Sequence, residues 1–233
     1  MGLAAFLAPF TLFDALAAAA LLAAWVGIGW RIEHSSPKRP SVGRIVTQYR
    51  RDWMVQMVTR EPRIFDSQVL ASLREGTSFF ASASMIAIGG GLALMADPTR
   101  LAGLVPHLAG QTPPDFVWTL KLALPVLLLV SAFLAFVWSH RLFGYCAIVM
   151  ASVPNDPADP TASPRAAKAA EINITAARSF NRGLRAVYFA MAALAWLGGA
   201  LPLFVATLVT LVVLWRREFA SNSRRVLLQP DSE

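Results

Sequence analysis

The strongest constraint in this sequence is the length of its apolar runs. A helix needs roughly 20 mostly apolar residues to cross a hydrocarbon core of about 30 Å. Residues 11–30, 78–95 and 117–138 meet or approach that length. The last apolar region, Leu184–Trp215, holds 32 residues. As one helix it would be about 48 Å long at 1.5 Å per residue. It would then need a tilt of about 50°, outside the usual range of about 0–40°. Gly198-Gly199-Ala200-Leu201-Pro202 interrupts it, so we read two helices, 180–197 and 201–215, in a tight hairpin. The first extends backward through Phe180, with its arginines reaching for the interface. The expected fold is all-α, a polytopic transmembrane bundle of four or five helices forming one membrane domain over 1–233.

Charge supports that reading. The chain is 56% hydrophobic and only 15% charged, where a soluble domain carries about 25% charge. The net charge of +7 sits beside the apolar runs, which points to a lipid bilayer with anionic headgroups as partner rather than to nucleic acid. The loop from Arg31 to Glu75 holds nine Lys or Arg, and the tract from Arg141 to Arg185 holds five Arg and one Lys. The loop from Asp97 to Asp115 holds only Arg100. By the positive-inside rule the first two face the cytoplasm and the third faces out. The N-terminus then lies outside. Five crossings bring the tail, with Arg216, Arg217, Arg224 and Arg225, inside; four would leave it outside. A bacterial cytoplasmic (inner) membrane is the expected location. No basic residue precedes the first run, which reads as a retained helix and not as a cleaved signal. Phe6 stands where a myristoylation signal needs Ser or Thr.

The connecting stretches differ in kind. Within the cytoplasmic loop 31–76, Ser41 can cap a helix reaching about Arg60. Val42, Ile45, Val46, Tyr49, Trp53 and Met57 share one face at a 3.6-residue period, with Arg44 and Arg51 opposite. This is an amphipathic cytoplasmic helix, either lying on the inner leaflet or docked under the bundle. The stretch 151–164, with Pro154, Pro157, Pro160 and Pro164 among Asn155, Asp156 and Asp159, reads as a flexible loop. Ser163-Pro164 then starts a helix running into the fourth crossing. In the second apolar run, Ala81, Ser82, Ala83, Ser84, Ala87 and Gly89-Gly90-Gly91 are small. Small residues let helices approach closely in lipid, which predicts a central position for this helix, with a possible kink at the glycines. Thr112-Pro113-Pro114-Asp115 supplies the start of the third helix.

Few residues offer chemistry. Asp14 is the acid inside an apolar segment. It closes a Thr11-Leu-Phe-Asp14 capping box, or else belongs to a proton or cation path. Arg178, Arg182 and Arg185 follow i, i+4, i+7 spacing on one side of a helix, with Glu171 on the same stripe. With Arg50 and Arg51 they are the candidate ligands for an anion or a lipid headgroup; the plainer reading is snorkelling and local ion pairs. Lys121 snorkels outward or pairs with Asp14. Ser78, Ser82 and Ser84 line a polar path or serve helix packing. Cys146 is the single cysteine, and His34, His107 and His140 lie far apart, so no metal site is expected. No catalytic set and no cofactor motif is present. The sequon Asn173-Ile174-Thr175 lies in the expected cytoplasmic tract and is set aside.

Three stretches together carry a likeness. They are Arg50-Arg51-Asp52-Trp53-Met54 with Arg63-Ile64-Phe65-Asp66; Ser78-Phe79-Phe80-Ala81-Ser82; and Asn181-Arg182-Gly183-Leu184-Arg185-Ala186-Val187-Tyr188-Phe189 with Arg216-Arg217-Glu218-Phe219-Ala220-Ser221. The chain resembles, over most of its length, an uncharacterised family of bacterial and plant membrane proteins, catalogued as domain of unknown function 599. The resemblance implies a multi-pass helical membrane protein and carries no activity. Two classes of function stay open: a homo-oligomeric channel or transporter-like protein, and a non-catalytic accessory or scaffold subunit of a larger membrane complex. An enzyme acting on lipids comes third.

Overall fold

The computed structural model describes residues 10–97 and 114–230. Every regular element among them is helical. Helix α1 is Leu12–Glu33, α2 is Val42–Val58, α3 is Ile64–Ala96 and α4 is Asp115–Ala151. Helix α5 is Ala162–Leu194; a 3₁₀ turn, Ala195–Gly198, follows it. Helix α6 is Ala200–Phe219, and a short α7, Asn222–Leu227, ends the chain's regular structure. Helices Leu12–Glu33, Ile64–Ala96, Asp115–Ala151 and the stretch Ala200–Leu227 are long and apolar enough to cross a membrane. The protein is therefore a membrane-type helical fold, as its composition requires.

Several boundaries differ from the sequence expectation. Helix α3 begins at Ile64, well before the apolar run at Ser78, and α4 continues to Ala151 past Trp138. Helix length is set by backbone bonding and caps, whereas a hydropathy window sees only the part that suits lipid. The interruption at the glycine pair is real. Gly199 has φ of 115°, a left-handed value that glycine adopts without a steric penalty, and its N–H bonds to the Trp196 carbonyl at 2.9 Å. The chain turns there, and α6 begins with Pro202 in its first turn. The expected N-cap at Thr112 and Pro113, and Arg100 and His107 before it, lie outside the described residues.

The chain forms two compact units. Unit one comprises Met1–Arg31, Ser84–Ala132 and Leu184–Arg216; unit two comprises Ile32–Ala83, Phe133–Gly183 and Arg217–Glu233. Within unit one, Trp118 and Leu122 are buried against Leu94, Met95 and Leu197. Gly91 lies so near Val126 that a Cβ would come within 2.6 Å of its Cγ2. That is the one glycine of the triplet at a close helix contact. Gly89 and Gly90 have open space where a Cβ would stand. Between Ser78 and Met95 only Ser84 is fully buried. The expectation that this small-residue helix packs at the centre is thus overturned: within this chain most of α3 is uncovered, and it runs through the glycines as a continuous helix.

In unit two, α2 docks on α4 and α5. Met54, Met57 and Val58 pack with Phe143, Cys146 and Met150 of α4 and with Ala166, Ala169 and Ala170 of α5. The alanines keep α5 slim enough for α2 to lie close. The amphipathic face is shifted by about one residue from its expected place: Tyr49 is exposed, Arg50 is turned inward, and Met54 is buried. The start of α2 is doubly capped. Ser41 Oγ accepts from Arg44 N–H at 3.3 Å, and Glu218 Oε2 accepts from Gly43 N–H at 3.2 Å. Both satisfy free N–H groups at the positive end of the helix. Arg224 Nε donates to the Pro40 carbonyl at 2.9 Å, so α7 also holds this entry. The loop 152–161 is stitched by its own aspartates: Asp156 accepts from Ala158 N–H at 2.9 Å and Asp159 from Thr161 N–H at 2.7 Å. These bonds to Thr161, hydroxyl and backbone, hold the Asp159 carboxyl below its ordinary range.

Candidate functional site

The sequence candidates are mostly engaged inside the protein. Thr11 and Asp14 form the reciprocal cap: Thr11 N–H donates to Asp14 Oδ2 at 3.1 Å, and Asp14 N–H donates to Thr11 Oγ1 at 3.1 Å. The other oxygen, Asp14 Oδ1, accepts from Trp196 Nε1 at 2.8 Å, tying the 3₁₀ turn to the start of α1. Lys121 lies over the Trp118 ring, 5.9 Å from its centroid. Arg182 grips Glu33 with two bonds, of 3.0 and 2.7 Å. Arg185 is buried in unit one beside Gly29, where a Cβ would stand 3.4 Å from Nε. Arg178 is exposed.

On α2, Arg51 pairs with Glu171 at 2.7 Å, and Arg50 donates to Asn173 Oδ1. Burial holds the Arg50 guanidinium below its ordinary value, though it remains a cation. Asn173 is wholly buried and passes the contact on to Cys146 Sγ at 3.7 Å. These contacts fasten α2 to α5. Ser78 is exposed and stands 3.3 Å from His140 Nδ1; Ser82 is exposed too. Gly183 backs onto the Phe136 ring, which Phe80 and Phe180 flank with centroids 5.5 Å away.

The most chemically unusual place is one that motif reasoning passed over. A cavity of about 430 Å³ in unit two is lined from α2, α3, α4 and the loop after α4. Asp66, fully buried, stands in its wall. Its Oδ1 accepts from Trp53 Nε1 at 2.7 Å and from the Arg60 guanidinium. Its Oδ2 is buried and receives no hydrogen bond from the protein. Arg63 joins the ends of two helices. Its terminal nitrogens donate to the carbonyls of Val58 (3.1 Å), Val153 (2.7 Å) and Pro154 (2.7 Å), while its Nε is left unpartnered. Arg74 Nε is likewise buried without a partner. A buried polar group left unsatisfied costs roughly 1–3 kcal/mol. Of four such side-chain atoms among the described residues, three belong to residues of this one cavity; the fourth is Trp118 Nε1 in unit one.

A signal for this site exists in the sequence. Arg63, Asp66, Ser67, Leu70, Ala71 and Arg74 follow i, i+3, i+4, i+7, i+8 and i+11, a single helical stripe, and all six line the cavity. It is visible only once α3 is extended back to Ile64. Among the described residues no group of His, Cys, Asp and Glu could hold a metal ion.

A family model described as "Protein of unknown function, DUF599" matches residues 16–223. No curated protein and no solved structure matches the chain.

Proposed function

The chain belongs to that family of unknown function, and from this premise we propose that it is a non-catalytic, five-crossing membrane subunit that acts by associating with another membrane segment through the open face of α3. The uncovered small-residue face carries this reading. Ser78, Ser82, Gly89 and Ala93 lie on one exposed stripe of the helix and Ala83 and Ala87 on a second, with Phe79 and Ile86 exposed between them. In lipid, such small-residue stripes are typical of surfaces where a second helix comes close, whereas large aliphatic side chains suit the acyl chains themselves.

The proposed orientation follows the cations. Among the described residues, unit one holds four Lys or Arg (Arg31, Lys121, Arg185 and Arg216), and unit two holds sixteen. Five crossings that put the basic stretches 31–75 and 141–185 at the cytoplasmic side and the N-terminus outside obey the positive-inside rule; a bacterial inner membrane is the proposed location. The engagement of Arg182 with Glu33 and of Arg51 with Glu171 favours an assembly role over an arginine-lined inner mouth.

The test is oxidative cross-linking in native membranes of Gly90→Cys in a Cys146→Ser background, with Met191→Cys, exposed on α5, as control. A product of twice the chain mass specific to Gly90→Cys identifies a second copy as the partner. A specific larger adduct identifies a different subunit. Equal cross-linking at both positions, or none, overturns the reading.

A further inference from the structure

We propose that the cavity between α2, α3 and α4 is a binding site for a phosphate ester that also carries a hydroxyl or ammonium donor. This is the chemistry of a glycerophospholipid headgroup or of its soluble counterpart.

The unpartnered atoms define the ligand. Arg63 Nε and Arg74 Nε are donors in want of an acceptor, and Asp66 Oδ2 is an acceptor in want of a donor. Arg60 already balances the Asp66 charge. The two remaining guanidiniums therefore leave the wall cationic and select an anion. A phosphate oxygen is well suited to a guanidinium N–H. The uncommitted oxygen of Asp66 adds a second demand, for an O–H or N–H on the same ligand. Bare phosphate meets the first demand only.

Size and setting agree. A cavity of about 430 Å³ falls within the range of about 300–1,000 Å³ typical of small-molecule sites. Met57, Leu70, Met150 and Val153 give it an apolar wall. Arg74 lies four residues before Ser78, where the apolar run of α3 begins. At 1.5 Å per residue that is about 6 Å along the helix. The headgroup layer extends roughly 5–8 Å beyond the hydrocarbon on each side. On that spacing Arg74 lies at the depth of the headgroups.

The site differs from surface arginines that attract headgroups without selecting among them. Arg63 is fixed by three carbonyls, and Asp66 by Trp53 and Arg60, so these two side chains are held before any ligand arrives.

The experiment uses the full chain in detergent and reads bound lipid by native mass spectrometry. The probes are dioleoylphosphatidylglycerol, dioleoylphosphatidylethanolamine and dioleoylphosphatidylcholine. The first two carry an O–H or N–H donor; the third has the phosphate but no such donor. Retention of either donor-bearing lipid at least tenfold above phosphatidylcholine is expected. Arg74→Leu, which removes a guanidinium Nε without a protein partner, should abolish that preference. So should Ala147→Leu, which fills the cavity and leaves every charge in place. If one variant fails to fold, the other and the lipid ratio of the wild type still decide. Binding of sn-glycero-3-phosphoglycerol with no lipid preference supports the site and identifies a soluble phosphate ester as its source. Equal retention of all three lipids with no binding of the soluble ester, or a preference unchanged in the folded variants, overturns the proposal.

Discussion

Gly183→Ala and Gly90→Ala make a matched pair. Both glycines lie inside long helices, so alanine brings the same gain in helix propensity, up to about 1 kcal/mol. Their surroundings are opposite. A Cβ on Gly183 would stand 2.6 Å from Phe136 Cε1 and 2.8 Å from both Cδ1 and Cζ, while a Cβ on Gly90 would meet nothing within 4 Å. Phe136 is fully buried and has Phe80 and Phe180 close by, so its ring has little room to give way. Overpacking of this kind costs about 1–3 kcal/mol. Gly183→Ala should therefore be neutral to about 3 kcal/mol less stable than wild type, and Gly90→Ala neutral to about 1 kcal/mol more stable. The propensity term cancels between them, leaving a difference of about 1–3 kcal/mol. For a chain of this size 1 kcal/mol moves Tm by about 2–4 °C. Thermal unfolding in one detergent should place Gly183→Ala at least about 2 °C below Gly90→Ala. Equal midpoints, or the reverse order, would refute the close approach of α5 to α4.

Arg63→Met removes three bonds to carbonyls and should destabilise unit two by about 3 kcal/mol, taking charged hydrogen bonds at about 1.5–3 kcal/mol each and not adding them; limited proteolysis within 152–161 should accelerate, and an unchanged rate would count against the clasp. Arg50→Met leaves the buried Asn173 oxygen without its donor and should cost roughly 1–3 kcal/mol in chemical unfolding. Arg51→Ala breaks an exposed pair and should cost no more than about 1 kcal/mol, so a larger loss at Arg51 than at Arg50 would contradict the burial assigned to them. A double-mutant cycle on Arg182→Ala and Glu33→Ala should give a coupling of about 0.2–1 kcal/mol, and zero coupling would remove the ion pair.

The expected segment 180–197, most of which lies in Ala162–Leu194, is not among the described helices long and apolar enough to cross a membrane; the four that are were legible because hydropathy and length are properties of single segments. So was the break at Gly198-Gly199, since only a turn reconciles that apolar length with the bilayer. The placement of α3 was not legible. Small residues mark a close contact, and the sequence does not say whether the contact is within the chain or with another; Gly91 meets Val126, while Gly89 and Gly90 face outward. The face of α2 was read nearly correctly, but Arg50 and Tyr49 exchange roles, because a long cation can enter a core when a buried amide such as Asn173 awaits it. The cavity escaped because its residues sit in the polar first turns of α3, a stretch that hydropathy reads as loop.

The arginines show why net charge is a poor guide to binding in this chain. By sequence, the stripe on α5 and the pair on α2 were candidate anion ligands, with snorkelling and local ion pairs as the plainer reading. In the structure Arg44, Arg50, Arg51, Arg63, Arg182 and Arg224 each donate to a protein group: carbonyls at Arg44, Arg63 and Arg224, carboxylates at Arg51 and Arg182, an amide at Arg50. A guanidinium has five N–H donors, so even a well-anchored arginine can keep one in reserve, as Arg63 does. Orientation in the membrane depends on how many cations lie at one end, whether or not they are engaged. Ligand binding depends instead on the few donors left over and on a fixed acceptor beside them. On the proposed headgroup site and orientation, Arg74→Leu should change lipid retention without reversing the topology, whereas neutralising the exposed Lys38 and Arg39 should weaken the orientation bias and leave lipid retention unchanged.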